Sequence, residues 1–174
     1  MISSTQLREA MPYAKLDRIA AFVQPLNDAC DEFEISTPAR KAAFLSQIAH
    51  ESGSLQYTLE LASGDAYEGR EDLGNRQPGD GRRFKGRGLI QVTGRANMAA
   101  CGAALGLNLI EHPELLEVPV GASRSAGWFW KSRGLNRLAD EDKFWSISKA
   151  INGGTNGLDD RIWHWLKARK VLGL

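Results

Sequence analysis

Thr37-Pro38-Ala39-Arg40-Lys41-Ala42-Ala43-Phe44-Leu45-Ser46-Gln47-Ile48-Ala49-His50-Glu51-Ser52-Gly53 is the stretch on which the fold turns. It opens with a capping hydroxyl followed by proline at the first helical position, a strong start signal. Ala42, Phe44, Leu45, Ile48 and Ala49 then recur on one face, and Gly53 supplies the stop. The reading is a helix over 38–51 that carries His50 and Glu51 in its last turn.

The chain before this helix is also helical in pattern. Thr5 is placed to cap a short helix over 6–10 that Pro12 ends. Leu16, Ile19, Ala20, Val23, Leu26, Ala29 and Cys30 keep helical spacing through 15–33, where Pro25 is expected to kink or divide the segment. After the helix the composition changes: residues 64–94 hold eight of the chain's 18 glycines, a density that favours turns and short strands. Pro78-Gly79-Asp80-Gly81 reads as a turn and Leu89-Ile90-Gln91-Val92-Thr93 as a strand. Helical patterns return over 96–105, 122–133, 140–151 and 158–171. The fold class that follows is mainly α (α+β), with a small glycine-rich β lobe around residues 64–94.

At 174 residues the chain suits one domain, and 43% hydrophobic with 25% charged residues is an ordinary globular balance. Lys and Arg number 22 against 21 Asp and Glu, a net charge of +1. That balance argues against broad electrostatic binding to nucleic acid. No run approaches the ~18–20 apolar residues that cross a bilayer, so no stable membrane insertion is expected. The first ten residues lack the basic-then-apolar order of a signal peptide, so synthesis in the cytoplasm is the expectation. Cys30 and Cys101 stand in unrelated segments and read as small buried hydrophobes in a reduced compartment.

Several sites fail on spacing. His50-Glu51 begins a zinc-protease pattern, but Ser54 stands where the second histidine belongs. His50, His112 and His164 are too far apart for a compact ligand motif. Gly81-Arg82-Arg83-Phe84-Lys85-Gly86 has phosphate-loop spacing but continues Arg87-Gly88, and Gln91 takes the third glycine position of a dinucleotide fingerprint. What remains is a carboxylate system. Glu51 sits at the negative end of a helix dipole near Ile48 and Leu55, both of which disfavour ionisation and suit a general acid. Glu60, beyond the Gly53 break, can reach the same cleft from another element. Two carboxylates across a cleft are the minimal machinery of glycoside hydrolysis, although any two glutamates near a helix end would meet that description.

Ala49-His50-Glu51-Ser52-Gly53, then the run Gly86-Arg87-Gly88-Leu89-Ile90-Gln91-Val92-Thr93-Gly94-Arg95-Ala96-Asn97, then Ile151-Asn152-Gly153-Gly154, resembles glycoside hydrolase family 19 over roughly residues 38–165. Tyr67-Glu68-Gly69-Arg70 and Asp72-Leu73-Gly74-Asn75 are similar to the bacteriophage and prophage endolysin branch. The resemblance implies a lysozyme-like, two-lobed helical domain spanning 1–174, with 1–36 as an N-terminal helical element and 37–174 as the catalytic core. It implies an inverting reaction in which Glu51 is the general acid and Glu60 the general base, with Glu68 as the rival base. Gln91, Thr93, Asn97 and Asn152 match substrate-positioning residues, and Arg161 matches an arginine that pairs with the carboxylates and would hold Glu60 ionised. If 89–93 is a strand, Gln91 and Thr93 share its face. Tyr57 and Tyr67, beside the carboxylates, are candidate substrate contacts. No metal or organic cofactor is implied.

Blander roles compete for several of these residues. His50 is expected to be structural. Arg82, Arg83, Lys85 and Arg87 either pair internally, with Glu68, Glu71 and Asp72, or attract an anionic polymer. Trp128, Phe129, Trp130, Trp145, Trp163 and Trp165 are expected to be core for the most part. The function expected from the resemblance is that of an endolysin cutting β-1,4 bonds of peptidoglycan glycan strands and so lysing a host cell. It would act as a monomer at the cell wall, in the periplasm, once a separate membrane-permeabilising protein releases it. A chitinase and a non-catalytic wall-binding module are the alternatives; a nucleic-acid reading rests on 82–87 alone.

Overall fold

The structure is a computed structural model that describes residues 1–154 and 156–174. Nine α-helices are seen among the described residues. The first three are α1 Ser4–Ala10, α2 Leu16–Glu32 and α3 Pro38–Glu51. The middle of the chain gives α4 Asp80–Arg83, α5 Arg95–Leu105 and α6 Pro119–Ser132. The last three are α7 Leu135–Asp140, α8 Phe144–Asn152 and α9 Leu158–Val171. Thr37 Oγ1 accepts from Arg40 N at 3.2 Å and caps α3, as its sequence requires.

The central pairing is α3 against α9, with α2 laid along α6 and α1 closing on α9. Every residue of α3 from Ala42 to Ala49 is buried, because small and large apolar side chains alternate around the helix and two polar ones, Ser46 and Gln47, find internal partners. Leu7 and Met11 from the chain's start, Phe22 and Leu26 of α2, and Trp130 of α6 belong to the same contiguous core. Each such large side chain contributes about 1.5–3 kcal/mol on burial.

Four local expectations are corrected. Ser3, not Thr5, caps α1, in a reciprocal capping box with Gln6. Pro25 lies inside an unbroken α2; the buried stripe of Ile19, Phe22, Leu26, Ala29 and Cys30 outweighs the roughly 3 kcal/mol cost of an interior proline. The helix expected over 140–151 begins four residues later, as α8, because Asp142 takes a left-handed φ of 54°, and the short α7 before it was not expected. The fourth concerns β structure. Residues 64–94 form the expected glycine-rich lobe, but it consists of turns, two 3₁₀ segments and the short α4. The bridges Leu59↔Arg87 and Arg87↔Val92 are its isolated β pairs. Residues 89–93 are no strand: Gly88 and Gln91 both take positive φ, 81° and 56°, folding 88–91 into a turn across which Arg87 and Val92 exchange hydrogen bonds.

This lobe is held by charge where the helical lobe is held by apolar packing. Arg95 Nε and Nη2 reach the two oxygens of buried Asp80 at 2.8 and 2.6 Å, and the guanidinium lies 4.7 Å from the Phe84 ring centroid. Buried Asn75 ties Tyr67 O to Arg95 N, each at 2.8 Å.

Candidate active site

α3 presents Glu51 at its last position, with the side chain about one-fifth exposed. Arg161, projecting inward from α9, pairs with Glu51 Oε1 through Nη2 and with Gln47 Oε1 through Nη1 at 2.5 Å. Gln47 lies one turn before Glu51 on α3, and its amide donates to Ser148 Oγ of α8 at 3.1 Å. The guanidinium is 2% exposed and its Nε has no acceptor among the described residues, so Glu51 and Gln47 carry the compensation for a buried charge. Arg161 thus pairs with one of the carboxylates, as the resemblance implies, but it sits on Glu51 and not on Glu60, which it was expected to hold ionised. The close packing of α9 on α3 is the reason. Ile48 and Leu55 are fully buried beside Glu51 as expected, but the direct partner of its carboxyl is a cation.

Immediately after Glu51 the chain makes a left-handed turn. Gly53, Ser54 and Leu55 have φ of 57°, 58° and 68°, a conformation that costs a non-glycine residue about 1 kcal/mol or more. Ser52 holds it, accepting Leu55 N on Oγ at 2.8 Å and Tyr57 N on its carbonyl at 2.9 Å. Arg18 Nε of α2 donates to Leu55 O at 2.8 Å. The turn sends the chain back along the glycine-rich lobe, where Thr58–Glu60 lies antiparallel to Gly86–Gly88.

Glu60 is fixed there by the backbone. Its N–H donates to Gly86 O at 2.9 Å, and Gly86 N–H returns a bond to Oε2 at 2.8 Å. Tyr67 OH donates to Oε1 at 2.9 Å. Burial first, then this bond to Glu60, raises the Tyr67 phenol above its ordinary pKa, so it stays a donor through neutral pH. A Cβ on Gly86 would stand 2.6 Å from Gln91 Oε1 and 3.2 Å from Glu60 Oε2, so only glycine lets these two side chains meet over the backbone. Glu68, the rival, has both oxygens taken by Gly79 N–H and Gly81 N–H, at 2.7 and 2.8 Å, at the start of α4. It is a cap on that short helix.

Gln91, Thr93 and Asn97 line one cavity of about 400 Å³, faced by Trp128, Phe129, Ser132 and Arg133 of the α6 end. They share it through the turn and the first turn of α5, without a strand face: Thr93 Oγ1 donates to Gln91 O and Asn97 Nδ2 to Thr93 O, at 2.9 and 2.7 Å. Tyr57 is 40% exposed against Gly53, while Tyr67 is a partner of Glu60. Asn152 ends α8 outside this cavity lining, and its amide is occupied locally by Asn156 O and Gly154 N–H, at 2.6 and 2.8 Å.

The remaining expectations divide. His50 Nδ1 meets Asp160 at 2.7 Å, the structural role expected of it. The cationic run is internally bonded, but to Asp65, the carbonyls of Ile110, Glu111 and Ala62, and Glu117, and not to Glu68, Glu71 or Asp72. Trp130 is core, edge-on to Phe44; Trp128 and Phe129 line the cavity, and Trp145 and Trp163 are 50% and 36% exposed. Burial pushes both cysteine thiols up to about 12. The sequence reading missed Gln47, whose signal was a polar side chain on an apolar helix face one turn before Glu51. It also missed Arg133, one turn after Phe129 at a helix end.

The chitinase class I profile of glycoside hydrolase family 19 matches residues 28–142, about two-thirds of the chain. The chain belongs to glycoside hydrolase family 19. A family 19 domain-containing protein of Haemophilus influenzae is 28% identical and corresponds over 92% of each chain. An endochitinase of Arabidopsis thaliana is 36% identical over 76% of this chain and 48% of its own, so the chain spans about half the length of that plant relative. Among solved structures, chitinase C of Streptomyces griseus aligns with 99% of this chain and 76% of its own at 26% identity and a TM-score of 0.81. A class IV family 19 chitinase of Zea mays gives 0.70 at 26% identity, over 89% of this chain and 81% of its own. The family 19 membership makes the chain a chitinase-like glycoside hydrolase, and the mainly helical lysozyme-like architecture is the one these neighbours share.

Proposed function

We propose that this family 19 domain hydrolyses the β-1,4-linked amino-sugar strands of peptidoglycan by inverting acid/base catalysis. The observation that carries the chemistry is the contrast in how two carboxyl groups are held. Glu51 has one oxygen taken by Arg161 and the other without a partner among the described residues. Glu60 is anchored at both oxygens by Tyr67 and Gly86. In this reading the open Glu51 oxygen delivers a proton to the leaving glycosidic oxygen. Glu60, fixed in place, takes a proton from the water that attacks the anomeric carbon from the opposite face. Inversion needs room for that water, with carboxyl groups about 6.5–9.5 Å apart in the closed complex. Gln91, Thr93 and Asn97 offer amide and hydroxyl groups to the N-acetylated sugar, and Trp128 offers a ring.

The peptidoglycan reading draws support from the lysin-like segments 67–70 and 72–75, of which Tyr67 and Asn75 support Glu60 and the lobe around it. It also draws support from a bacterial relative of matching length. As an endolysin the protein would act as a monomer on the wall after a membrane-permeabilising partner gives it access. A chitinase is the second reading, favoured by the names of the plant and Streptomyces relatives. Mass spectrometry of soluble fragments from purified Gram-negative peptidoglycan, with Glu51→Gln as control, decides between them. New reducing-end muramic acid lost in the variant supports the proposal; no sugar product, with turnover of chitin oligomers, overturns it.

A further inference from the structure

Of the chain's arginines, nine pair with carboxylates among the described residues. Arg133 has no carboxylate partner there. It lies exposed at the rim of the cavity that Gln91, Thr93 and Asn97 line. Its guanidinium stacks 4.3 Å from the Phe129 ring centroid, and its one internal hydrogen bond, Nη1 to Ala150 O, is long at 3.4 Å. A guanidinium has five N–H donors in a planar fork that fits a carboxylate with two parallel bonds. Stacked on an aromatic ring it is held in one orientation and keeps most of those donors free.

The rest of the cavity is chemically neutral. Its polar groups are amides and hydroxyls, which suit the N-acetyl and hydroxyl groups common to all N-acetylated β-1,4 glycans. None of them distinguishes a charged strand from an uncharged one. Chitin carries no anion, whereas every second sugar of peptidoglycan bears a lactyl ether that ends either in a free carboxylate or in a peptide with its own carboxylates. The cavity adjoins Glu60 through Gln91 and reaches the end of α8 through Arg133. A strand crossing it would carry a branch past Arg133.

We infer that Arg133 is a specificity-determining residue, binding a carboxylate carried on a branch of the glycan strand and so favouring peptidoglycan over uncharged chitin. This rests on the peptidoglycan reading above. The test compares wild type, Arg133→Gln and Arg133→Lys on stem-bearing peptidoglycan strands, on the same strands stripped by an amidase, and on chitin oligosaccharides. Arg133→Gln is expected to lower the peptidoglycan-to-chitin ratio of kcat/KM about tenfold or more, the scale of a lost charge-assisted hydrogen bond, with partial recovery in Arg133→Lys and a loss that shrinks with added salt. A deficit confined to intact strands identifies a stem carboxylate as the ligand; one that persists after stripping identifies the lactyl carboxylate. An unchanged ratio overturns the inference while leaving the substrate reading intact. A wild type that yields no sugar products from either form of peptidoglycan overturns both.

Discussion

The two expected catalytic carboxyl groups are held by opposite means. Glu51 stands on a helix of nearly four turns and is positioned by side chains alone, through the line Ser148, Gln47, Arg161 that joins α8, α3 and α9. Glu60 stands on irregular chain and is positioned mainly by backbone, through the reciprocal pair with Gly86. A helix satisfies its own peptide groups, so its side chains must find one another. An irregular segment has peptide groups to spare, and they become the support. The helical lobe therefore owes its precision to packing, and the glycine-rich lobe to hydrogen bonds and the Asp80–Arg95 pair.

The sharpest way to break this comparison is to remove the carboxyl groups themselves. Glu51→Gln and Glu60→Gln should each lower kcat about 100- to 10,000-fold with the fold retained, measured as reducing sugar released alongside circular dichroism. Should only Glu51→Gln do so, Glu60 would be a structural pin and the base lies elsewhere. Next in size is Asp80→Asn, which leaves Arg95 half-buried and unpaired. It should cost about 3 kcal/mol by denaturant unfolding, against little for a surface Asp such as Asp28. The Arg95 hydrogen bonds hold Asp80 below the ordinary aspartate range, so its contribution is complete above that range and is lost as the pH falls through the depressed value. Unfolding scans from pH 7 to pH 2 should show that acid loss in the parent and a flatter profile in Asp80→Asn.

Smaller effects separate the two loop-lobe glutamates. Glu68→Gln should lower stability by about 1 kcal/mol as a weakened cap while kcat moves less than threefold, the reverse of Glu60→Gln. Smallest is Tyr67→Phe, which removes one neutral donor from Glu60. A fall of about fivefold in kcat is expected, with the ascending limb of the pH–rate profile moved to higher pH because the ionised base loses a hydrogen bond.

How much of this was legible in the sequence follows the same division. The helix over 38–51 and the one over 158–171 were read with their observed ends, because capping residues and apolar spacing are local and both act within one element. Leu89–Thr93 read as a strand because its residues have β character. Its conformation is instead set by Gly88 and Gln91 at positive φ and by the preceding residues Gly86–Gly88, which pair with Thr58–Glu60 in a contact, Leu59 to Arg87, that spans 28 residues and that no local pattern encodes. Gln91, Thr93 and Asn97 were found through motif resemblance and do share a cavity, though by a turn. Arg161 was found as a partner of the carboxylates and does meet one of them, Glu51; that it does not also hold Glu60 depends on how α9 lies against α3. Asn152 was assigned to the substrate; one donor and one acceptor of its amide serve its own loop.

The bond from Arg18 to Leu55 O joins α2 to the strained turn that separates the two glutamates. Nothing in the first 36 residues needs to touch a sugar for them to matter to turnover. They act as an abutment: with Arg18 in place the turn keeps its left-handed form and the distance between acid and base is set by the body of the protein. Without it, Ser54 and Leu55, both in a costly conformation, would be held by the Ser52 bonds alone, and the gap that a water molecule must fit would be less firmly set.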